Sequence, residues 1–178
     1  MAGLKPHKLL VVVLDGVGLR DDPYGNAVAM AHTPVLDFLC SQPLFSPLHA
    51  HGTHVGLPGS QDIGNSEVGH NAIGAGRIYD QGAKLVDQAL ANGSLFQAEP
   101  WQQCVAAGKE HTLHFIGLLS DGNVHSHEKH LHQLIEAAAH EGVSRIRLHL
   151  LFDGRDVPEG SSRKYVKHLE EKLGALQQ

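Results

Sequence analysis

Four short segments of the sequence carry residue types that can do phosphoryl or acid–base chemistry. The first is residues 64–70, Gly-Asn-Ser-Glu-Val-Gly-His, where a glycine-rich loop leads into a predicted helix that begins at Ser66. The start of a helix offers free N–H groups and the positive end of the helix dipole, and both suit a phosphate. Ser66 is therefore a candidate phosphoryl acceptor. A serine followed by an acidic residue is also a common way to begin a helix, so a purely structural role stays open.

The second segment is Asp15-Gly16, which follows six apolar residues, 9–14. Such a run is typical of a strand buried on both faces of a parallel sheet. Ligands of open α/β proteins bind at the carboxyl ends of strands, and a carboxylate there suits a divalent metal. Asp-Gly is also ordinary turn chemistry, so the sequence leaves both roles open for Asp15.

The other two segments, 120–127 and 152–158, each begin where a predicted strand ends, and each contains an Asp-Gly pair as its second and third residues. If those strands are adjacent and parallel, both loops open at the same edge of the sheet. We then expect His125 to lie near Arg155 and Asp156. Together these side chains would form an anion site with acid–base capacity. Two simple turns are the alternative.

Histidine is unusually frequent, with 15 residues in 178. His125, His127, His130 and His132 fall within eight positions, which suggests a zinc site as one hypothesis. However, residues two apart, such as His130 and His132, cannot share a helix face, and no cysteine is near. The favoured interpretation for most of these histidines is a solvated helix surface.

The elements that would position these residues follow from hydrophobic periodicity and from turn residues. The second half predicts a strand–helix–strand–helix order, hence a parallel pair of strands with a right-handed crossover. We expect an α/β fold with a domain boundary near residues 77–80. The predicted strands are 9–14, 113–119 and 146–152, with 45–50 as a further candidate, and the predicted helices are 33–39, 66–74, 83–91, 100–107, 128–140 and 162–173.

Composition excludes several classes of protein. The net charge is −5, which disfavours a nucleic-acid-binding surface. The longest apolar run has six residues, too short for a membrane span or a signal peptide. The two cysteines, Cys40 and Cys104, make no disulfide framework, which favours a reduced, cytoplasmic protein.

With these segments in view, the chain resembles the N-terminal part of the cofactor-independent phosphoglycerate mutases. The resemblance covers nearly the whole chain, and residues 64–77 together with Asp-Gly-Arg-Asp at 153–156 are highly specific to that family. One departure is Asn123, which stands where the family usually has glycine. The further matching stretches are residues 9–20, 25–37, 78–93, 113–127 and 145–162.

The resemblance implies interconversion of 3-phosphoglycerate and 2-phosphoglycerate in glycolysis through a phosphoserine. It implies that Ser66 is the nucleophile and a metal ligand, that Asp15 is a metal ligand, and that His125, Arg155 and Asp156 bind substrate. Two divalent ions, often manganese, would be the cofactors. Residues 1–77 would belong to an alkaline-phosphatase-like domain and residues 78–178 to the first part of a phosphotransferase domain, in an enzyme that is monomeric when complete.

Family enzymes are much longer than 178 residues, and their remaining metal ligands lie beyond this stretch. The expectation is therefore an N-terminal portion of a mutase that is not a competent enzyme as an isolated chain. Two alternatives remain at this point. One is another phosphatase or mutase of the alkaline phosphatase superfamily, and the other is a non-catalytic fragment that binds phosphoglycerate or metal.

Overall fold

The computed structural model describes residues 8–176, and these residues form two compact units. The first unit ends at Leu48 and the second begins at His49. The domain boundary predicted between residues 77 and 78 lies inside the second unit, and it stays a prediction about the complete enzyme.

The first unit contains two short helices, α1 (Ala27–Met30) and α2 (Pro34–Cys40). The Asn26 side chain caps α1 by accepting a hydrogen bond from the Ala29 N–H group. The prediction of a helix that starts at Pro34 is confirmed, because proline is well suited to the first turn, where no N–H donor is needed.

The prediction of a strand at residues 9–14 is wrong for this chain. These residues form no strand, and their side chains are 53–87% exposed. The second candidate strand, at residues 45–50, does not form either. A strand needs a hydrogen-bonded neighbour, and the described part of the first unit contains no strand that could pair with residues 9–14.

The second unit begins with a turn of 3₁₀ helix, Gly52–Val55, followed by four α-helices. Gln81, just before the second of these α-helices, is hydrogen-bonded to the end of the 3₁₀ helix. Its N–H group donates to the Gly56 carbonyl (2.9 Å) and its side chain to the Val55 carbonyl (3.1 Å). Gly56 has φ of 84°, and its Cα faces the Tyr79 carbonyl so closely that no Cβ fits. The helices are α3 (Ser66–Ala75), α4 (Gly82–Ala91), α5 (Ser94–Gln97) and α6 (Glu99–Glu110).

The rest of the second unit has the predicted alternation of strands and helices. Strands β1 (Leu113–Leu119) and β2 (Ile146–Phe152) pair in parallel, with Leu119 opposite Phe152 at their carboxyl ends. Helix α7 (Glu128–His140) connects them, and α8 (Ser162–Leu176) follows β2. The α/β fold class and the parallel pair are therefore confirmed. No helix within residues 8–176 is long and apolar enough to cross a membrane.

The core lies between the sheet and helices α6, α7 and α8. Tyr165 and Leu169 of α8 pack with Leu119 and with Ile135 of α7, as the periodicity of both helices predicts. A second cluster surrounds Trp101, whose indole N–H group donates to Glu141 (2.7 Å). This packing fixes the carboxyl ends of both strands at one edge, where the predicted site loops begin.

Candidate functional site

A buried hydrogen bond joins the carboxyl ends of the two strands. Ser120, the residue after β1, donates from its hydroxyl group to Asp153 Oδ2 over 2.6 Å, and the two residues are 1% and 7% exposed. The other oxygen of Asp153 accepts from the N–H groups of Arg155 (2.9 Å) and Asp156 (3.0 Å). These donors hold the pKa of Asp153 below its ordinary value, and the hydrogen bond from the Ser120 hydroxyl has the largest effect.

His125 and Asp156 meet across the two loops, as the sequence predicts. His125 Nδ1 lies 2.6 Å from Asp156 Oδ2. Because a carboxylate only accepts, Nδ1 carries the proton, and Nε2 forms no hydrogen bond with any described residue. The loops approach so closely that a Cβ on Gly122 would lie 2.8 Å from the Asp156 side chain, which explains the glycine at this position.

The loop that carries His125 is fixed at both ends and from α8. The Ser120 carbonyl accepts from the Glu128 N–H group (2.6 Å), and the Ser120 hydroxyl accepts from the Gly122 N–H group (3.0 Å). From α8, the Tyr165 hydroxyl donates to Asp121 Oδ1 over 2.6 Å. This bond is the largest cause of the lowered pKa of Asp121 and of the raised pKa of Tyr165.

Arg155 is positioned through its backbone and not through its guanidinium group. Its N–H group donates to Asp153, while its side chain is exposed and forms no hydrogen bond or ion pair within residues 8–176. The structure thus brings His125 and Asp156 together and leaves the Arg155 guanidinium outside that pair.

Ser66 is the first residue of α3, as predicted, and it is exposed. The helix cap is the preceding Asn65, whose side chain accepts from the Val68 N–H group (2.9 Å). His70 Nδ1 lies 2.7 Å from the Ser66 carbonyl oxygen and 3.3 Å from the Ser66 Oγ atom. Since a carbonyl only accepts, Nδ1 carries a proton and cannot remove the one on the hydroxyl. His70 is therefore not a general base for Ser66.

Asp62 and Asn123 join the glycine-rich loop before Ser66 to the loop that carries His125. The Asn123 side chain donates to Asp62 Oδ2 (2.8 Å), which also accepts from the Gly59 N–H group (2.9 Å). Asn123 has φ of 56°, a left-handed conformation that asparagine tolerates. A cavity of about 470 Å³ opens beside this contact, bordered also by His127 and Lys129.

Asp15 lies in a turn of the first unit and is exposed, with Gly16 at φ of 78°. The Asp15 carboxylate and the Ser66 hydroxyl are oxygen donors of the kind that manganese and magnesium accept. Within residues 8–176, no three histidine, cysteine, aspartate or glutamate side chains converge as a metal site. The donor chemistry of each residue, taken by itself, fits a hard divalent ion.

The interpretation of the clustered histidines as a solvated helix surface is wrong for His127, His130 and His132, which are half-buried, whereas His125 is exposed. His125 pairs with Asp156, and His130 Nε2 lies 2.6 Å from Asp87 on α4. His132 is half-buried, and its Nε2 atom is buried without a hydrogen-bond partner among the described residues. Burial lowers the pKa of His132.

Sequence reasoning missed Ser120, Asp153 and His70. Asp153 begins the Asp-Gly turn after β2, and its turn-forming character concealed its role as a buried acceptor. Its position directly after a buried strand was the available signal. Ser120 gave no local signal, because its hydrogen bond to Asp153 joins residues that are far apart in the sequence. His70 lies one helical turn after Ser66, and that spacing was the available signal.

Comparisons with known proteins point to the same protein family, and the matches to individual relatives cover most of the chain. A family model described as the BPG-independent PGAM N-terminus matches residues 86–178. The chain is 49% identical over 178 residues to a 2,3-bisphosphoglycerate-independent phosphoglycerate mutase of Trypanosoma brucei brucei and 48% identical over 176 residues to mutase 1 of that name in Arabidopsis thaliana. Each match covers 98% of this chain and 32% of the relative.

The fold is similar to a crystal structure of Leishmania mexicana phosphoglycerate mutase at low cobalt concentration. The TM-score is 0.84 at 47% identity, and the match covers 93% of this chain and 31% of that one. The chain therefore spans about a third of the length of the relatives that it matches.

Proposed function

Because this chain belongs to the BPG-independent phosphoglycerate mutase family, we propose that it supplies the phosphoryl acceptor and part of the substrate site of an isomerase that interconverts 3-phosphoglycerate and 2-phosphoglycerate. The observation that carries the proposal is the placement of Ser66, exposed at the first position of a ten-residue helix that follows a glycine-rich loop. The hydroxyl of Ser66 takes the phosphoryl group from one position of the glycerate and returns it to the other.

The start of α3 stabilises a phosphoserine at this position. The first N–H groups of a helix have no acceptor within it, and Asn65 occupies only that of Val68. The N–H groups near Ser66 and the helix dipole therefore favour the added negative charge.

Ser66 needs an activator that the described residues do not provide, because His70 already donates its Nδ1 proton to the Ser66 carbonyl. We assign Asp15 and Ser66 as ligands of two divalent ions, manganese by preference, with further ligands from outside this chain. A bound divalent ion lowers the pKa of a coordinated hydroxyl and offsets charge on a transferring phosphoryl group. Asp15 contributes a negative charge that holds such an ion, and Ser66 contributes the nucleophilic oxygen.

His125 and Asp156 hold the glycerate. With Nδ1 donating to Asp156, the free Nε2 of His125 can accept from a substrate hydroxyl or, when protonated, donate to a substrate oxygen. The exposed guanidinium of Arg155, two residues after the buried Asp153, is available to a phosphate or carboxylate as a bidentate donor.

The remaining parts of the proposal follow from family membership. The reaction is a step of glycolysis in the cytoplasm, and the complete enzyme is a monomer. Residues 1–77 belong to its alkaline-phosphatase-like domain and residues 78–178 to its phosphotransferase domain. One observation favours a second candidate function, binding of phosphoglycerate or metal without turnover by the chain alone, because only two of the expected metal ligands lie within it.

A chimera tests the proposal, in which this chain replaces the matching third of the Trypanosoma brucei mutase. We expect the chimera to convert 3-phosphoglycerate with manganese present, Ser66→Ala to abolish conversion, and the neighbouring control Ser60→Ala to retain it. Normal turnover by Ser66→Ala would contradict the assignment. The isolated chain should show no turnover in the same coupled assay, and turnover well above background would show that it holds a complete site.

A further inference from the structure

Asp153 occupies an unusual environment for a carboxylate. It is 7% exposed, and within the described residues no lysine or arginine pairs with it. Its charge is satisfied by three neutral donors, the Ser120 hydroxyl and the N–H groups of Arg155 and Asp156. Buried charge is costly unless it is hydrogen-bonded in this way, so the arrangement is a built feature of the fold.

The three donors lie on both sides of the site. Ser120 belongs to the loop that carries His125, and it also accepts from Gly122, against which Asp156 packs. The two N–H groups belong to the loop after β2, and one of them is that of Asp156 itself. Asp153 is therefore bonded to both loops whose side chains meet in the contact between His125 and Asp156.

We propose that Asp153 is a positioning residue that sets the geometry of the His125–Asp156 pair, and through it the placement of the glycerate. The proposal rests on the function proposed above. Asp153 touches no substrate in this scheme, because it is buried beneath the loops. Its effect reaches the reaction through the orientation of Asp156, which in turn fixes the tautomer and the direction of His125.

Two substitutions separate positioning from mere packing. Asp153→Ala removes both acceptor oxygens and frees the two loops from each other. Asp153→Asn keeps an oxygen for the two N–H groups and places an amide against Ser120, whose hydroxyl oxygen can accept. Misplacing a reacting group by about 1 Å costs on the order of 100-fold in rate. We therefore expect Asp153→Ala to lower kcat/KM of the chimera by about 100-fold, and Asp153→Asn to restore most of the loss.

A double-mutant cycle tests whether Asp153 acts through the pair. In a His125→Gln background the pair no longer exists, so Asp153→Ala should cost little further activity. If the two losses multiply, Asp153 acts elsewhere and the proposal is overturned. A normal kcat/KM for Asp153→Ala overturns it as well. Ser120→Ala, which removes one donor only, provides the same comparison if Asp153→Ala fails to fold.

A measurement without turnover separates this proposal from the proposed function. The His125 tautomer with its proton on Nδ1, held against a carboxylate, gives a characteristic long-range proton–nitrogen NMR signal from the ring in this chain, assigned by its loss in His125→Gln. The signal should persist in Asp153→Asn and disappear in Asp153→Ala, while the Trp101 indole signal reports an intact core. Persistence in Asp153→Ala overturns the positioning role whatever the enzyme does. Its loss together with normal turnover by Ser66→Ala would leave the positioning intact and overturn the function.

Discussion

Replacing Tyr165 by phenylalanine isolates one hydrogen bond that holds the site loop to α8. The Tyr165 hydroxyl donates to Asp121 over 2.6 Å, while its ring is 2% exposed and packs with Leu119 and Leu169. Phenylalanine keeps the ring and removes only the donor. A hydrogen bond to a charged group contributes about 1.5–3 kcal/mol.

The exposure of Asp121 decides where in that range the effect falls. The Asp121 side chain is 38% exposed and also pairs with Lys164, so water and Lys164 partly replace the lost donor. We expect Tyr165→Phe to lower the free energy of unfolding by about 1.5 kcal/mol, which is about tenfold in the unfolding equilibrium. Urea unfolding followed by Trp101 fluorescence measures it.

The matched control is Tyr24→Phe, because Tyr24 is 85% exposed and its hydroxyl forms no hydrogen bond in the described chain. Tyr165 also keeps the pKa of Asp121 below its ordinary 3.8. A lowered carboxyl pKa stabilises the fold above 3.8 and loses that effect as the pH falls through the folded value. The difference between Tyr165→Phe and wild type should therefore shrink in acid. If Tyr165→Phe unfolds at the same urea concentration as Tyr24→Phe, the bond contributes nothing and this reasoning is refuted.

Three further perturbations follow from the structure. Burial lowers the pKa of His132 below 6.5, so the unfolded chain binds a proton at this histidine before the folded chain does, and stability falls as the pH drops below that value. In His132→Gln the urea midpoint should therefore fall less between about pH 7 and pH 5 than it does in wild type. An equal fall of the midpoint in both proteins would contradict this. Asn123→Gly loses the bond to Asp62 but suits φ of 56°, so its unfolding free energy should stay within about 1 kcal/mol of wild type, and a larger loss would show that the bond dominates. Residues 9–14 expose apolar side chains, so lysine at Val11 and Val13 should reduce self-association in light scattering, and unaltered association would point to another surface.

Local sequence patterns predicted the second half of the chain well, because its strands and helices find their hydrogen-bonding and packing partners within that same half. Strands Leu113–Leu119 and Ile146–Phe152 pair with each other, and α7 and α8 bury their apolar faces on them. Residues 9–14 carry an equally clear strand pattern, yet they form none. The hydrophobic pattern of a segment indicates which structure the segment can adopt. A strand forms only when a neighbouring strand is also present to pair with it.

The site shows the same division between local and distant information. Strand-end logic brought His125 and Asp156 together, because parallel strands place their carboxyl ends at one edge. It could not show that Asp153 is bonded to Ser120 or that the Arg155 side chain stays outside the pair. Those facts depend on side-chain directions in a packed interior, which residue types and spacing do not encode.

Trapping the phosphorylated enzyme tests the central claim most directly. The chimera, mixed with 3-phosphoglycerate and manganese and quenched in acid during turnover, is digested and its phosphopeptides are mapped by mass spectrometry. We expect a phosphate on Ser66, present in wild type and in Ser60→Ala and absent from Ser66→Ala. Turnover with the phosphate on another residue, or with no phosphoryl-enzyme at all, would contradict the assignment of Ser66 as the phosphoryl acceptor.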